Sequence, residues 1–189
     1  MDEKKIVIEP GTSLLVLGNI GLKGTKIMAC EGERKLLTRY NPELVKKAAL
    51  LYDEADEALD LLKLLEDNPY KIVSEGGIFK ALWDISCEYK IGFDVDIFDI
   101  PVRQETIELS NYFDVNPYEM VSEKCLLVLV KGGRTIVNAL KETEIPCAII
   151  GEVTAGNDKI VRHQDGALHL RPAKRDSIES FMNRKEELS

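Results

Sequence analysis

The stretch Ile72-Val73-Ser74-Glu75-Gly76-Gly77, running into a helix that starts near Ile78, decides how this chain folds. It predicts a short β-strand that breaks at two glycines and continues directly as a helix, because glycine tolerates a positive φ and close contact with a neighbour. The first turn of such a helix presents free N–H groups and a positive dipole end, which can hold an anion. Such a glycine-rich pattern more often forms a tight turn that binds no ligand. Apolar residues at helical spacing predict that the helix packs on a sheet, namely Ile78, Leu82, Ile85 and Tyr89.

A second glycine-rich loop lies earlier in the chain, after a predicted strand at 13–18. The run Gly18-Asn19-Ile20-Gly21-Leu22-Lys23-Gly24-Thr25 precedes a predicted helix from Lys26 to about Glu31. Strand, glycine-rich loop and helix is an order that can cradle a phosphate, but the spacing matches neither the P-loop nor the dinucleotide fingerprint. On physical grounds alone, a plain turn is favoured over a phosphate loop.

Length and composition limit the kinds of protein that this chain can be. Its 189 residues, 44% hydrophobic and 31% charged, predict one globular domain, or one domain with a helical appendage. The net charge of −8 argues against binding to nucleic acid or to anionic membranes. No apolar run has the length of a membrane span, and the first residues lack the apolar core of a signal peptide, so we expect a cytoplasmic protein.

The cysteines predict no metal or redox centre. Cys30, Cys87, Cys125 and Cys147 show no CxxC spacing and no matching histidine spacing, so neither a zinc site nor a redox pair is indicated. In a cytoplasmic protein we expect them to be reduced thiols in the core.

Hydrophobic periodicity predicts the remaining elements. A helix over 42–67 has an apolar stripe and an opposite acidic face, which we interpret as solvated rather than metal-binding. Strands and helices are interleaved but include hairpins, which predicts an α+β fold with a mixed, mostly antiparallel sheet flanked by helices. Further strands are expected at 6–8, 91–97, 124–130 (in mid-sheet), 146–153, 159–163 and 167–171, and further helices at 104–113, 134–141 and after Asp176.

Several motifs in order resemble a known family. The strand Ile-Gly-Phe-Asp-Val-Asp at 91–96, the run Ile-Pro-Val-Arg-Gln-Glu at 100–105 and the closing strand at 148–153 resemble the C-terminal domain of the aminoimidazole ribonucleotide synthetase (AIR synthase) superfamily. That superfamily includes thiamine monophosphate kinase, selenophosphate synthetase and a hydrogenase maturation factor. The loop at 18–24 and the stretch at 116–124 are most similar to the maturation factor.

The resemblance covers roughly residues 6–165 and implies a domain organisation. We expect an AIR synthase C-terminal-like domain over 1–175, including the helical segment 42–67, followed by a helical tail over 176–189. Family members have an additional N-terminal domain whose acidic residues hold Mg²⁺ and most of the ATP site. Only a few residues precede Ile6, so we expect that domain to be missing.

The resemblance also implies where a ligand would bind. ATP or another phosphorylated ligand is the expected cofactor class, with Mg²⁺ bound only when a partner domain supplies its ligands, because phosphoryl transfer requires those ions. No metal-binding or catalytic residue is assigned. The candidate ligand-binding residues, most of them in the two glycine-rich stretches, are Gly21, Lys23, Gly24, Thr25, Ser74, Glu75, Gly76, Gly77 and Glu123.

The sequence departs from the family pattern at chemically important positions. Ile72 stands where the family has an Asp two residues before a Thr, and Ser74 stands at the Thr position. Leu22 and Lys23 replace an Asp-His pair of the maturation factor, and the chain ends in Ser189 rather than in the Cys that carries its thiocarbamate. The maturation chemistry is therefore not expected here.

Three functions remain open. The first, which we favour, is a non-catalytic binding or assembly module. The second is the C-terminal half of a split ATP-dependent enzyme whose metal-binding domain is a separate chain, and the third is a small-molecule phosphate sensor. Because loss of a domain partner leaves apolar surface exposed, we expect a homodimer or a complex with an N-terminal-domain-like chain.

Overall fold

A computed structural model describes residues 7–58, 61, 65, 68–172 and 175–186. Strands and helices are interleaved along these residues. The strands are β1 (Ser13–Leu17), β2 (Tyr70–Ile72), β3 (Gly92–Asp96), β4 (Leu126–Val130), β5 (Cys147–Thr154), β6 (Lys159–His163) and β7 (Gly166–His169). The helices are α1 (Leu22–Glu31), α2 (Glu33–Leu36), α3 (Pro42–Glu54), α4 (Gly77–Tyr89), α5 (Gln104–Phe113), α6 (Gly133–Ala139) and α7 (Ile178–Glu186).

The strands form one seven-stranded sheet in the order β2-β4-β1-β5-β3-β6-β7. Neighbouring strands run antiparallel except β3 and β6, which run parallel. The predicted α+β fold with a mixed, mostly antiparallel sheet flanked by helices is confirmed. The strand predicted at 124–130 is β4, which lies inside the sheet between β2 and β1, with all five side chains buried.

Both faces of the sheet centre are covered by apolar side chains. Alternation along β1 sends Leu14 and Val16 to the face that α4 covers and Leu15 and Leu17 to the opposite face. Burial of one such side chain stabilises the fold by about 1.5–3 kcal/mol. This two-sided burial explains why β1 and β4 have continuous rather than alternating apolar sequences.

A separate apolar cluster lies among α1, α3, α5 and α7. Its buried members include Met28 of α1, Ala48 of α3, Leu109 of α5 and Phe181 of α7, together with Met120 from the loop before β4. The C-terminal helix is therefore packed on the domain through one face.

Two predicted helices have different bounds in the structure. The helix predicted from Lys26 begins at Leu22, because Gly21 takes a left-handed conformation (φ 72°) that allows the helix to start at once. The helix predicted over 42–67 ends at Glu54, and Ala55 is extended. Lys124 Nζ donates to the Ala55 carbonyl oxygen at 2.8 Å and fixes the chain at this point. Of the predicted helical segment, residues 59–60, 62–64 and 66–67 lie outside the described residues.

The strand predicted at 6–8 is wrong for the two of its residues that the structure describes. Val7 is exposed and Ile8 packs against the core, but neither is in a strand. The chain instead makes a turn before β1, in which the Thr12 N–H donates to the Glu9 carbonyl oxygen at 3.1 Å. Pairing with β5 as a regular strand starts only at Ser13.

All four cysteines are free thiols, as predicted, but only part of the expectation about the core is right. Cys125 is buried and Cys147 is half-buried, whereas Cys30 and Cys87 are exposed. Burial raises the pKa of the Cys147 thiol to about 11 and raises that of Cys125 as well.

Within the described part of the chain, none of the helices combines the length and the apolarity of a membrane-spanning segment.

The burial of β4 leads to a stability prediction. Leu127→Ala should lower the free energy of unfolding by about 2–5 kcal/mol, because the cavity forms in a fully buried strand. Leu168→Ala in β7 is the matched control, since Leu168 is 40% exposed, and should cost less than about 1 kcal/mol. Urea unfolding of both variants measures the two losses in the free energy of unfolding. Equal losses would contradict the burial of Leu127.

Candidate functional site

The two glycine-rich turns lie on either side of one segment of the chain. We call residues 21–24 turn 1, residues 76–77 turn 2 and residues 117–124 the bridging segment. A Cβ on Gly24 would lie 2.2 Å from Met120 Cγ, and a Cβ on Gly77 would lie 2.5 Å from the Tyr118 carbonyl oxygen. The structure therefore brings both groups of candidate residues together around the bridging segment.

The N–H groups of turn 1 bind the bridging segment. Gly21 N–H donates to Ser122 Oγ at 2.8 Å. Lys23 N–H donates to the Ser122 carbonyl oxygen at 3.3 Å, and Gly24 N–H donates to that of Val121 at 3.1 Å. These are the donors that a helix start leaves free for an anion. In this conformation they are already satisfied and do not fit a phosphate group.

Thr25 completes turn 1 from inside the protein. Its hydroxyl lies 2.8 Å from both the Gly21 carbonyl oxygen and the Thr106 hydroxyl, and its side chain is fully buried. Thr25 thus connects α1 to α5 in this structure.

Turn 2 is occupied by a carboxylate of the same chain. Gly76 and Gly77 have φ of 77° and 64°, which only glycine adopts readily. Gly76 N–H donates to Asp176 Oδ2 at 2.8 Å, and Asp176 Oδ1 accepts from the Ile178 N–H at 3.0 Å. One carboxylate therefore caps the starts of both α4 and α7. The candidates Ser74 and Glu75 precede this turn and are exposed.

Glu123 and Lys124 are two consecutive left-handed residues, with φ of 54° and 48°. Each such conformation costs a non-glycine residue about 1 kcal/mol or more. The backbone around them is fixed, since Glu123 N–H donates to the Val73 carbonyl oxygen at 2.8 Å. A Cβ on Gly18 would lie 2.5 Å from the Lys124 carbonyl oxygen. Strain of this kind clusters at functional sites.

Glu123 joins turn 1 to α3 through its side chain. Its carboxylate accepts hydrogen bonds from Lys23 Nζ and, at 2.6 Å, from the Tyr52 hydroxyl. The Lys23 ammonium and the Tyr52 hydroxyl hold the pKa of Glu123 below its ordinary value. The hydrogen bond to Glu123, with burial, raises the pKa of Tyr52 to about 12. Both shifts favour one state, with the proton on the tyrosine and the charge on the glutamate.

A cavity of about 200 Å³ opens beside Gly18, between the glycine-rich loop and the end of α3. Lys124 and Arg103 contribute cationic groups to its wall, and Lys124 Nζ also lies 5.1 Å from the centre of the Tyr52 ring. The volume is below the ~300–1,000 Å³ of most small-molecule pockets. Glu54, Asp56 and Glu144 contribute carboxylates to the same wall.

The site contains residues that the sequence did not indicate. Tyr52 lies within the predicted helix at 42–67, where nothing in the sequence distinguishes it from its neighbours. In the sequence, Asp176 only marks the start of the last predicted helix, and its bond to Gly76 joins two distant parts of the chain. Among the residues that the structure describes, no group of three or more His, Cys, Asp or Glu side chains could hold a metal ion. Ligand binding by the nine candidate residues stays a prediction.

Comparisons with known proteins identify relatives of this domain. The family described as AIR synthase related protein, C-terminal domain, matches residues 9–164. Carbamoyl dehydratase HypE of Rhizobium leguminosarum bv. viciae is 22% identical over 170 residues, which cover 86% of this chain and 46% of the relative.

Solved structures of related proteins share the fold. E. coli HypE, a hydrogenase maturation protein, has a TM-score of 0.69 at 18% identity, over 89% of this chain and 52% of that chain. HypE in a HypE-HypF complex has a TM-score of 0.66 at 19% identity, over 87% of this chain and 54% of that chain. This chain thus spans about half the length of the relatives it matches.

The contact between turn 2 and the bridging segment leads to a paired glycine prediction. Gly77→Ala should lower the free energy of unfolding by about 2–4 kcal/mol, because φ strain adds to a clash with a backbone oxygen. Gly132→Ala is the control, since Gly132 has φ 72° but nothing within 4 Å of its Cβ position, and should cost about 1 kcal/mol. Urea unfolding compares them, and equal losses would mean that the bridging segment does not restrict turn 2.

The lowered pKa of Glu123 leads to a pH prediction. A carboxyl whose folded pKa lies below its unfolded pKa stabilises the protein above the unfolded pKa and loses this effect as the pH falls through the folded value. Glu123→Gln should therefore be less stable than wild type near pH 7, and the gap should close as the pH falls below ~4.5. The gap should stay below about 1 kcal/mol, because the Glu123 side chain is 34% exposed and screened by water.

Urea unfolding between pH 7 and pH 3 measures this gap. Glu75→Gln is the matched control outside the hydrogen-bond network, because Glu75 is exposed. A gap for Glu123→Gln that does not change with pH would show that its carboxylate is not held by Lys23 and Tyr52.

Proposed function

This chain belongs to the AIR synthase related C-terminal domain family, and on that premise we propose that it acts as a binding or assembly module without catalysis of its own. The observation that carries the proposal is the occupation of both glycine turns by the chain itself. Turn 1 donates to Val121 and Ser122, and turn 2 donates to Asp176. Enzymes that transfer phosphoryl groups direct such donors at phosphate oxygens, whereas here they hold the domain together.

The surface of the sheet edge supports a role in assembly. β2 is an edge strand that pairs only with β4 among the described strands. Its residues Tyr70 and Ile72 are 44% and 47% exposed, and exposed apolar side chains on a strand edge suit a partner chain. HypE, a relative, assembles with HypF. The partner of this chain is a second copy or a chain resembling the half of the relatives that it does not span.

The proposed module keeps residual ligand-binding loops. Lys23 in turn 1 is 41% exposed, and Ser74 and Glu75 before turn 2 are exposed. ATP or another phosphorylated ligand is the proposed class, held only weakly by this chain alone, with Mg²⁺ bound only where a partner supplies carboxylates. We propose the cytoplasm as the compartment, since free thiols are typical of reducing surroundings.

One observation favours the alternative, the C-terminal half of a split ATP-dependent enzyme. The strained Lys124 lines a cavity with cationic groups, and the strained Glu123 precedes it in the chain. Nucleotide-sized ligands need a larger pocket than about 200 Å³, and a second domain placed against this opening would enlarge it.

Calorimetric titration with Mg-ATP and with ADP tests whether the isolated chain holds a nucleotide by itself. The proposal expects no binding tighter than about 1 mM, equivalent to about 4 kcal/mol, because the donors of turn 1 are satisfied internally. Tight binding of Mg-ATP to this chain alone would contradict the proposal. ATPase activity that appears only with a partner chain, and falls in Lys124→Met, would favour the split enzyme.

Sedimentation equilibrium tests the assembly surface. If β2 forms the interface, a double substitution Tyr70→Ser with Ile72→Ser should weaken self-association or binding of the partner chain by at least about tenfold, because apolar contact area is lost. Leu168→Ser is the control at the opposite sheet edge, with 40% exposure. A chain that forms neither dimers nor complexes would contradict the assembly role.

A further inference from the structure

The edge strand β2 bonds to β4 through every second residue. The Val73 N–H donates to the Cys125 carbonyl oxygen at 2.8 Å. The Leu129 N–H donates to the Pro69 carbonyl oxygen at 2.9 Å. Backbone groups alternate in direction along an antiparallel strand, so the N–H and carbonyl groups of Lys71, midway between positions 69 and 73, also face β4.

The other two residues of β2 direct their backbone groups to the outer side of the strand. These are Tyr70 and Ile72, and among the described strands none pairs with that side. Their partners in β4 are Val128 and Leu126, which belong to the cluster on the sheet face opposite α4. Both side chains therefore lie on that face, and they are 44% and 47% exposed. Two donors, two acceptors and two apolar side chains are thus open at one edge of the sheet.

Lys71 lies between these two residues, and its side chain is on the other face of the sheet. Its ammonium group forms an ion pair with Glu88 of α4, and the two side chains are 33% and 47% exposed. The hydrogen bond from Lys71 holds the pKa of Glu88 below its ordinary value. The α4 side of the edge therefore presents one positive and one negative group next to each other.

We propose that β2 pairs antiparallel with β2 of a second copy of this chain, about a two-fold axis that passes beside Lys71. The inference rests on the proposed assembly role of this edge and names its partner. In this register Tyr70 of each copy lies opposite Ile72 of the other, and each such pair exchanges two hydrogen bonds. The two sheets then form one continuous sheet.

A second copy fits this edge because the edge is complementary to itself. The open donors and acceptors are placed symmetrically about Lys71, as an isologous interface requires. An aromatic and a β-branched side chain directly opposite each other form a favourable cross-strand pair, and Tyr70 and Ile72 provide this pair twice. On the α4 face, each Lys71 brings its own Glu88, so the charges that meet at the axis sum to zero.

A proline at position 72 tests the pairing by sedimentation equilibrium. Ile72→Pro removes an outward N–H group but no donor of the ladder between β2 and β4, and edge strands accept proline at such positions. Self-association should weaken at least about tenfold, because the symmetric dimer loses a hydrogen bond at two places. Ile72→Val is the control, since it keeps the N–H group and the β-branched side chain. Equal self-association of the proline variant and wild type would overturn the pairing.

A disulfide at position 71 tests the register without relying on the proline variant. In this register the two copies of residue 71 face each other as a non-hydrogen-bonded pair with Cα atoms about 4.5 Å apart, which a disulfide can span. Cys30 and Cys87 are exposed, so both are replaced by Ser in the starting protein. Lys71→Cys should then form a covalent dimer with oxidised glutathione, whereas Ala167→Cys on the exposed strand β7 should not. Equal cross-linking of the two variants would overturn the register.

The outcomes separate this inference from the proposed function. A dimer that survives Ile72→Pro and does not cross-link through position 71 would overturn the pairing and leave assembly to another surface. A wild-type chain that stays monomeric but binds a separate partner chain would overturn the second copy as the partner. A chain that forms neither dimers nor complexes would contradict the proposed function as well.

Discussion

The domain depends on the contact between its two glycine turns and the bridging segment. Met120 fills the space that side chains at Gly21 and Gly24 would occupy, and the backbone next to it fills that of Gly77. These glycines are required because other residues would collide with the bridging segment, and they bring α1, α4 and the strand β4 together. A glycine-rich helix start therefore serves packing here, although the same pattern in a sequence suggests a phosphate.

Local sequence patterns were sufficient for most of the fold. The turn and helix at 76–89, the helix α5 and the closing strands were predicted because each depends on periodicity and turn residues within a few positions. The strand before this turn, expected to begin at Ile72, instead ends there. The end of α3 was not, because it is fixed by Lys124, which is distant in sequence. The apolar stripe of the sequence continues beyond Glu54 at Ala58, Leu62 and Leu65, so periodicity alone extended the predicted helix. Ala58, Leu61 and Leu65 are buried in the cluster on the sheet face opposite α4.

The candidate site was predicted by residue type but not by arrangement. Glycine turns and Glu123 could be recognised from the order of motifs, and the structure does bring them into one region. Glu123 accepts a hydrogen bond from Tyr52, and Gly76 donates one to Asp176. Both partners lie in parts of the sequence that carry no distinguishing signal. A carboxylate that caps two helices looks identical in sequence to one that caps a single helix. Tertiary contacts of single side chains are therefore the part that sequence could not supply.

The central position of β1 has a consequence for how the chain is made. β1 lies between β4 and β5, so this strand, the first of the described ones in chain order, must wait for partners from the second half of the given sequence. Non-local pairing of this kind slows folding, because the loop-closure entropy is spent before the contacts form. During translation, the apolar side chains of β1 have no sheet neighbour until β4 has been synthesised, and they lack the second neighbour until residue 154 has been added. Until then the strand is exposed apolar surface, which makes an incomplete chain prone to aggregation.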